Sequence, residues 1–172
     1  MKFGNKVNFS INLELDKHSH GVWMLGKFCY WIKNQQVGNY DLVVSLRDVL
    51  FSMAYIIGDK GKRVAPKLNE ISSEKAFCLI NKCLIEDSND IYSYVADDFL
   101  PARFDVGIDM HIFNDWRVYL VANNINEKII YKNMKSGIVD DVILPLGEFD
   151  SVAGEAYSYL DCLYEEQISK DK

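Results

Sequence analysis

Prolines and long apolar stretches are scarce in the 172-residue sequence, which contains three prolines and ten glycines. That content excludes collagen-like and linker-like chains. No apolar run approaches the roughly 20 residues that a membrane span requires, and the N-terminus lacks the apolar core of a signal peptide. We therefore expect a cytoplasmic protein with no membrane partner. Apolar residues make up 49% and charged residues 26% of the chain, which predicts one globular domain over residues 1–172.

Motifs for catalysis and metal binding are also missing. The sequence has no G-x-S-x-G, H-E-x-x-H, phosphate-binding-loop or G-x-G-x-x-G pattern. Its four cysteines, Cys29, Cys78, Cys83 and Cys162, form no Cys-x-x-Cys pair, and none has a histidine at metal-ligand spacing. They are expected to be free and mostly buried. We predict no metal, no other cofactor and no enzymatic activity.

The histidines leave two alternatives open. His18 and His20 lie two residues apart and could chelate a metal, but no third ligand is evident, so a surface turn is favoured. His111 follows Asp109 by two residues, which on a strand would put both side chains on one face. Such a pair could act as a general base with its orienting carboxylate. No candidate nucleophile is marked by spacing, so a strand histidine with an ordinary structural role is favoured. A small enzyme of unknown reaction, with a site near His111 and Asp109, remains the alternative function.

Alternating polarity predicts strands near the N-terminus. Residues 7–15 alternate between apolar and polar side chains, which indicates a strand with its odd-numbered face buried and its even-numbered face in water. A second strand is expected over residues 23–32, with a bulge or bend near Gly26. A short third strand is expected around residues 37–40.

Two helices are predicted next. Ser45 is expected to cap a helix that extends to residue 57, because the apolar residues that follow it recur at helical period. Ser72 or Ser73 is expected to cap the second helix. The basic segment 59–67 between them is expected to be a mobile connector.

The second half of the chain predicts an antiparallel meander and a terminal helix. Further strands are expected over residues 104–113, 116–122, 128–132 and 139–144. Asp150 or Ser151 is expected to cap an amphipathic helix whose inner face includes Val152, Ala156 and Leu160. The order of elements predicts an α+β fold, a mainly antiparallel sheet (meander) with about three helices packed on it.

Charge is distributed unevenly along the chain. Residues 1–137 carry 17 basic and 16 acidic residues, whereas residues 138–172 carry 2 basic and 9 acidic residues. A field of negative sign repels nucleic acid and speeds the capture of a basic partner. The alternative is a solvated acidic helix whose charges only keep the protein soluble.

Several segments together form a recognisable pattern. They are residues 26–32 (Gly-Lys-Phe-Cys-Tyr-Trp-Ile), 36–42 (Gln-Val-Gly-Asn-Tyr-Asp-Leu) and 45–51 (Ser-Leu-Arg-Asp-Val-Leu-Phe), with supporting stretches at 9–16, 115–120 and 144–150. This pattern resembles the immunity protein 42 family of bacterial polymorphic-toxin systems. The resemblance implies a small cytoplasmic protein, without catalytic residues, that binds and neutralises a cognate toxin domain, as in contact-dependent growth inhibition.

The implied partner is the C-terminal domain of the toxin, which we expect to be a basic nuclease whose active site becomes occluded. Direct binding of nucleic acid is not expected, and a monomer is favoured. Carboxylates placed against a positive cleft can mimic phosphates, and binding residues concentrate in loops. The residues expected to bind the toxin are therefore acidic or aromatic and lie in or beside predicted loops: Tyr92, Tyr94, Asp97, Asp98, Asp140, Asp141 and Glu148.

Overall fold

The structure, a computed structural model, describes residues 1–19 and 21–170. Within that part of the chain, contacts between Cα atoms define two compact units. Unit 1 comprises Met1–Gly58, Ile108–Asn114 and the chain from Phe149 onward, and unit 2 comprises Asp59–Gly107 and Asp115–Glu148. Each unit contains an antiparallel sheet and at least one helix, so the predicted α+β class is confirmed. The single domain over residues 1–172 stays a prediction.

Unit 1 is built on a sheet whose strands follow the order β1-β2-β3-β4, with β5 also paired to β3. The strands are β1 (Lys2–Gly4), β2 (Phe9–Leu15), β3 (Leu25–Ile32), β4 (Gln35–Val37) and β5 (Val44–Ser45). The odd-numbered side chains of β2 are buried at Phe9, Ile11 and Leu13, as predicted. Val7 is exposed, because residues 5–8 form a turn and β2 begins only at Phe9.

The opposite face of β2 is more enclosed than the alternation predicts. Ser10 is fully buried and lies directly across from Trp31 in the register of β2 and β3. The Lys6 ammonium lies 3.4 Å from the centre of the Trp31 ring. An aromatic ring and a long aliphatic stem therefore shield a face that was expected to be open to water.

Gly26 has a different role from the one predicted. Pairing between β2 and β3 continues through Gly26, which lies opposite Leu15, so the predicted bulge is wrong. A Cβ atom at Gly26 would clash with the carbonyl oxygen of Glu14 and would lie 2.7 Å from Cδ1 of Leu46. The glycine therefore permits close packing of a helix side chain against the sheet.

The helices of unit 1 begin close to their predicted positions. In α1 (Leu46–Gly58), the Ser45 hydroxyl accepts a hydrogen bond from the Asp48 amide at 3.2 Å, which confirms the predicted cap. The terminal helix α4 (Glu148–Lys170) begins two residues before the predicted cap at Asp150. Phe149 in its first turn stacks on Phe9 of β2, with ring centres 4.8 Å apart.

Unit 2 combines a three-stranded meander with two α-helices and short 3-10 helices among its described residues. Its elements are α2 (Pro66–Glu70), α3 (Ser73–Glu86), β6 (Trp116–Ala122), β7 (Asn126–Asn133) and β8 (Val139–Pro145), and the strand order is β6-β7-β8. The Ser72 hydroxyl accepts a hydrogen bond from the Lys75 amide and caps α3, as predicted. Phe77 and Ile80 of α3 pack with Tyr119 and Ile130 of the sheet in one buried cluster.

The segment 59–67 is not the mobile connector that its basic residues suggested. Arg63 is buried, and its guanidinium donates hydrogen bonds to the carbonyl oxygens of Arg103 (2.8 Å) and Asp59 (3.2 Å). Val64 pairs with Ala122 in an isolated bridge, and Pro66 begins α2. A buried guanidinium needs such partners, so the segment is held by hydrogen bonds inside unit 2.

Residues 104–113 do not form the predicted strand. Instead, 3-10 helices occur at Pro101–Phe104 and His111–Phe113, and Asp105 makes an isolated antiparallel bridge to Tyr119. The chain passes from unit 2 to unit 1 between Gly107 and Ile108. The apolar residues at the two ends of this segment therefore belong to different units and not to one strand face.

Only part of the cysteine prediction is correct. All four cysteines are free, but Cys78 and Cys162 are exposed and Cys83 is half-buried. Cys29, on β3, is fully buried, and that burial raises the pKa of its thiol to about 12. Within the described residues, none of the helices has the length and apolar character needed to cross a bilayer.

Candidate functional site

Four of the predicted binding residues lie in the segment that follows α3. Asp87 ends that helix in a left-handed conformation, and a 3-10 helix at Asp90–Ser93 carries Tyr92. Ile91 and Phe99 are buried in the core of unit 2 and fix the two ends of the segment. Between these anchors, Tyr92, Asp97 and Asp98 are exposed. The fold thus holds a short acidic and aromatic loop in place and presents it to solvent.

Tyr94 differs from Tyr92, although the two are only two residues apart. Tyr94 is half-buried and packs against the core cluster of unit 2. The Lys75 ammonium, in the first turn of α3, lies 5.3 Å from the centre of its ring. This cation–π contact makes Tyr94 part of the support of the loop, whereas Tyr92 presents its ring outward.

Asp140 and Asp141 lie on opposite faces of β8 and both have partners inside unit 2. The Asp141 carboxylate accepts a hydrogen bond from the Ser73 hydroxyl at the start of α3. The Asp140 carboxylate accepts hydrogen bonds from the Tyr131 hydroxyl (3.2 Å) and from the Asp141 amide (2.7 Å). Burial raises the pKa of the Tyr131 phenol, and the adjacent negative charge of Asp140 raises it further. Both carboxylates therefore contribute to internal structure.

The first turn of α3 contacts two of the predicted residues, each through a different side chain. Ser73 contacts Asp141, and Lys75, two residues later, lies beside the Tyr94 ring. Asp140 is on the other face of the sheet, so the predicted pair of carboxylates does not form one cluster. The two carboxylates point apart because successive side chains of a strand lie on opposite faces of the sheet.

Glu148 is half-buried and is the first residue of α4. The turn before it is fixed by the buried carboxylate of Glu127, which accepts a hydrogen bond from the Gly147 amide at 3.0 Å. Gly147 has a φ of 84°, a conformation that suits glycine. The position of Glu148 is thus set by a buried acidic side chain that the sequence did not single out.

The alternative site has no geometric support. Asp109 and His111 are exposed, and His111 begins a 3-10 helix, so the strand face that was to align them does not exist. The predicted surface turn that contains His18 begins at Asp16, whose carboxylate accepts a hydrogen bond from the His18 amide. His20 lies outside the described residues. Within residues 1–19 and 21–170, no group of three His, Cys, Asp or Glu side chains is placed to hold a metal ion.

Acidic residues extend along α4 beyond the predicted ones. No Lys, Arg or His occurs between Lys135 and Lys170, a span that contains eight acidic residues. The exposed acidic residues of α4 are Glu155, Asp161, Glu165 and Glu166. This part of the chain therefore produces a field of one sign, which is the property that favours a basic partner.

An exposed group of aromatic residues on unit 1 was not predicted. We call it the α1 aromatic face and define it as Trp23, Arg47, Phe51 and Tyr55. Arg47, Phe51 and Tyr55 are four residues apart along α1, opposite the buried stripe of that helix. That spacing is visible in the sequence, but it carries no charge pattern of the kind that predicted the toxin-binding residues.

Contacts through Arg47 join Trp23 and Phe51 of the α1 aromatic face, and Tyr55 lies one helical turn beyond Phe51. The Arg47 guanidinium lies 3.6 Å from the centre of the Trp23 ring and 5.9 Å from that of Phe51. It also donates two hydrogen bonds to one carboxylate oxygen of Asp48, at 2.8 and 3.0 Å. Phe51 meets Tyr164 of α4 edge to face, with ring centres 5.6 Å apart.

Comparison with known proteins identifies the family of this chain. The family model described as Immunity protein 42 matches residues 1–159. The chain belongs to the immunity protein 42 family. A search of curated proteins found no match. Membership of this family supports a toxin-neutralising immunity role.

A solved structure gives a second comparison. The crystal structure of CdiI from Burkholderia dolosa AUO158 superposes with a TM-score of 0.72 and 20% sequence identity. The match covers 92% of this chain and 99% of that chain. At this identity the likeness shows that the two proteins share a fold.

Proposed function

We propose that this protein binds the toxic C-terminal domain of its cognate contact-dependent growth inhibition protein and neutralises it by occluding its active site. The observation that carries the proposal is the match to the immunity protein 42 family over residues 1–159. The protein acts in the cytoplasm of a bacterial cell as a monomer and carries out no reaction itself. Its effect depends only on how tightly it binds the toxin domain and on whether it covers the active site.

The proposed toxin is a basic nuclease, and the supporting feature is charge. A nuclease needs a positive cleft for its substrate, and the span between Lys135 and Lys170 carries acidic residues without any basic one. Opposite fields accelerate the encounter of two proteins, and carboxylates can occupy phosphate positions in such a cleft. The negative charge of this protein also repels the nucleic acid substrate.

The proposed contact surface lies on unit 2. Its exposed members are Tyr92, Asp97 and Asp98, held between the buried anchors Ile91 and Phe99. Tyr is frequent among the residues that dominate binding energy, so Tyr92 is the proposed aromatic anchor of this loop. The remaining proposed members are Tyr94, which packs against the core cluster beneath this loop, and Asp140, Asp141 and Glu148, which add negative charge to unit 2.

A growth-protection assay tests the proposal. The toxin domain is expressed from an inducible promoter in cells that also express this protein or a variant of it. Wild-type protein is expected to restore growth, and a variant with Asp97→Lys, Asp98→Lys and Tyr92→Ala is expected to protect poorly. A variant with Asp97→Asn and Asp98→Asn distinguishes the loss of charge from its reversal.

Two controls make the assay specific. Glu70→Lys and Asp109→Lys reverse exposed carboxylates outside the proposed surface and are expected to protect fully. Circular dichroism and thermal melts of each purified variant check whether the fold is retained. Absence of protection by the wild-type protein, with both proteins expressed, would contradict the immunity role itself.

A further inference from the structure

We infer that the α1 aromatic face of unit 1 is a docking surface for a basic region of the cognate toxin domain. The inference rests on the proposed function, which names the toxin as the partner. It adds a second contact surface, made of different residues from those proposed on unit 2. The two proposals can therefore fail separately.

The first argument for a docking surface is that three large aromatic rings are exposed. Trp23 is 54% exposed, Phe51 is 48% exposed and Tyr55 is 82% exposed. Trp, Tyr, Phe and Arg are the residue types enriched at protein interfaces, and Trp, Tyr and Arg dominate binding energy there. Contiguous apolar surface of this kind, joined through Arg47, marks an interaction site more often than scattered single residues do.

The second step is the rigidity of this face. The Arg47 side chain is held flat by two hydrogen bonds to Asp48 and stacks on Trp23. The Trp23 carbonyl accepts a hydrogen bond from the Ser45 hydroxyl at 3.0 Å, which ties the chain before β3 to the start of α1. A surface fixed before binding loses little side-chain freedom when the partner arrives.

The third step identifies the partner by charge. Phe51 contacts Tyr164, and the exposed residues Asp161 and Glu165 lie beside Tyr164 on α4. Asp48 neutralises Arg47 within the face, so the border supplied by α4 gives this surface a negative edge. A basic protein surface complements an apolar centre with an acidic border.

The same charge disfavours a second copy of this chain as the occupant. In a two-fold symmetric dimer the same patch meets itself, so the acidic border of one copy would approach that of the other. Like charges placed across an interface cost binding free energy. A basic toxin domain meets no such repulsion.

Binding measurements with single variants test the inference. The probe is the purified C-terminal domain of the cognate toxin, carrying an inactivating substitution. Trp23→Ala and Phe51→Ala are each expected to raise the Kd about thirty-fold, the effect of losing a dominant interface residue. Tyr55→Ala tests the most exposed ring, whose removal leaves the buried stripe of α1 unchanged.

A matched control is available on unit 2. Ile125 is 81% exposed, compared with 82% for Tyr55, so Ile125→Ala removes an equally exposed apolar side chain elsewhere. It is expected to leave the Kd unchanged. Asp161→Lys with Glu165→Lys is expected to slow association at low salt and to weaken its salt dependence.

The outcomes separate the two proposals. If wild-type protein does not bind the toxin domain, the proposed function and this inference both fail. If wild-type protein binds and all three aromatic variants bind equally well, the inference is overturned while the proposed function stands. Sedimentation that shows a homodimer lost in the aromatic variants, with unchanged toxin affinity, would also overturn it in favour of a second copy.

Discussion

Two pairs of adjacent aspartates in unit 2 occupy opposite kinds of position. Asp97 and Asp98 are exposed on a loop anchored at Ile91 and Phe99. Asp140 and Asp141 are half-buried on β8 and accept hydrogen bonds from Tyr131 and Ser73. Both pairs look alike in the sequence. The difference teaches that a cluster of carboxylates predicts negative charge but not whether that charge is available to a partner.

The largest loss of stability is expected when a new carboxylate is introduced into the core, where no partner is available for it. Leu13→Asp places a charge at a position that is 1% exposed, and the lost packing adds to the cost of burying it. We expect the variant to be unfolded at 25 °C. Val7→Asp makes a similar change at a position that is 58% exposed, and it is expected to alter the free energy of unfolding by less than about 0.5 kcal/mol. Urea unfolding of both variants checks this, and similar stabilities would contradict the assigned register of β2.

A smaller effect is expected from the hydrogen bond between Ser73 and Asp141. Asp141→Ala leaves a buried hydroxyl without its acceptor and is expected to lower the free energy of unfolding by about 1.5 kcal/mol. Asp97→Ala, at an exposed position, is expected to change it by less than about 0.5 kcal/mol. A double-mutant cycle with Ser73→Ala isolates the interaction between the two side chains. Additive effects in that cycle would show that Asp141 does not stabilise the fold through Ser73.

The alkaline side of the stability profile distinguishes Asp140 from the exposed carboxylates. The Tyr131 pKa is raised from 10.0, so its neutral form stabilises the folded state below that pH, and this contribution is lost as the pH rises through the folded-state pKa. Asp140→Asn removes one cause of the shift. We expect the free energy of unfolding to fall less steeply above about pH 10 in this variant than in the wild type. Asp97→Asn serves as the control, and its profile should follow the wild type.

The smallest effect on stability is expected at the exposed pair, where the consequence is kinetic. Asp97→Lys with Asp98→Lys should leave the free energy of unfolding within about 0.5 kcal/mol of the wild type. Association with the toxin domain should slow by about tenfold at low salt, because exposed charges at an interface mainly change the association rate. Stopped-flow measurements at two salt concentrations check this. An unchanged rate would remove this loop from the proposed surface.

Local periodicity was sufficient to predict much of the fold. The buried odd-numbered face of β2 from Phe9 to Leu13, the cap at Ser45 and the cap at Ser72 are confirmed because each depends on neighbouring residues alone. The inner positions Val152, Ala156 and Leu160 of α4 are buried for the same reason. These elements follow from rules that act over a few residues.

The errors arise where distant residues decide the structure. Arg63 looked like part of a solvated basic loop, but the Arg103 carbonyl, forty positions away in the sequence, accepts its hydrogen bond. The apolar residues at 104–113 looked like one strand, although they belong to two units. Ser10 is buried by its position opposite Trp31, which only the pairing of β2 with β3 determines. Period-two patterns cannot contain that information.

The candidate surface could be predicted only in part. Composition predicts Tyr92, Asp97 and Asp98 as binding residues, whereas their exposure depends on two buried anchors, Ile91 and Phe99. The α1 aromatic face was not predicted because Trp23, which precedes β3, is far in sequence from Phe51 on α1. Only the fold brings both rings to the Arg47 guanidinium. Its spacing along α1 was the available signal.

The most direct test of the immunity role is a titration of toxin activity. The purified toxin domain is mixed with increasing amounts of this protein, and the cleavage of DNA and RNA substrates is followed at constant toxin concentration. Cleavage is predicted to fall linearly and to stop at one equivalent of protein, as expected for tight occlusion of the active site by a monomer. Full nuclease activity in the presence of excess folded protein would contradict the proposal.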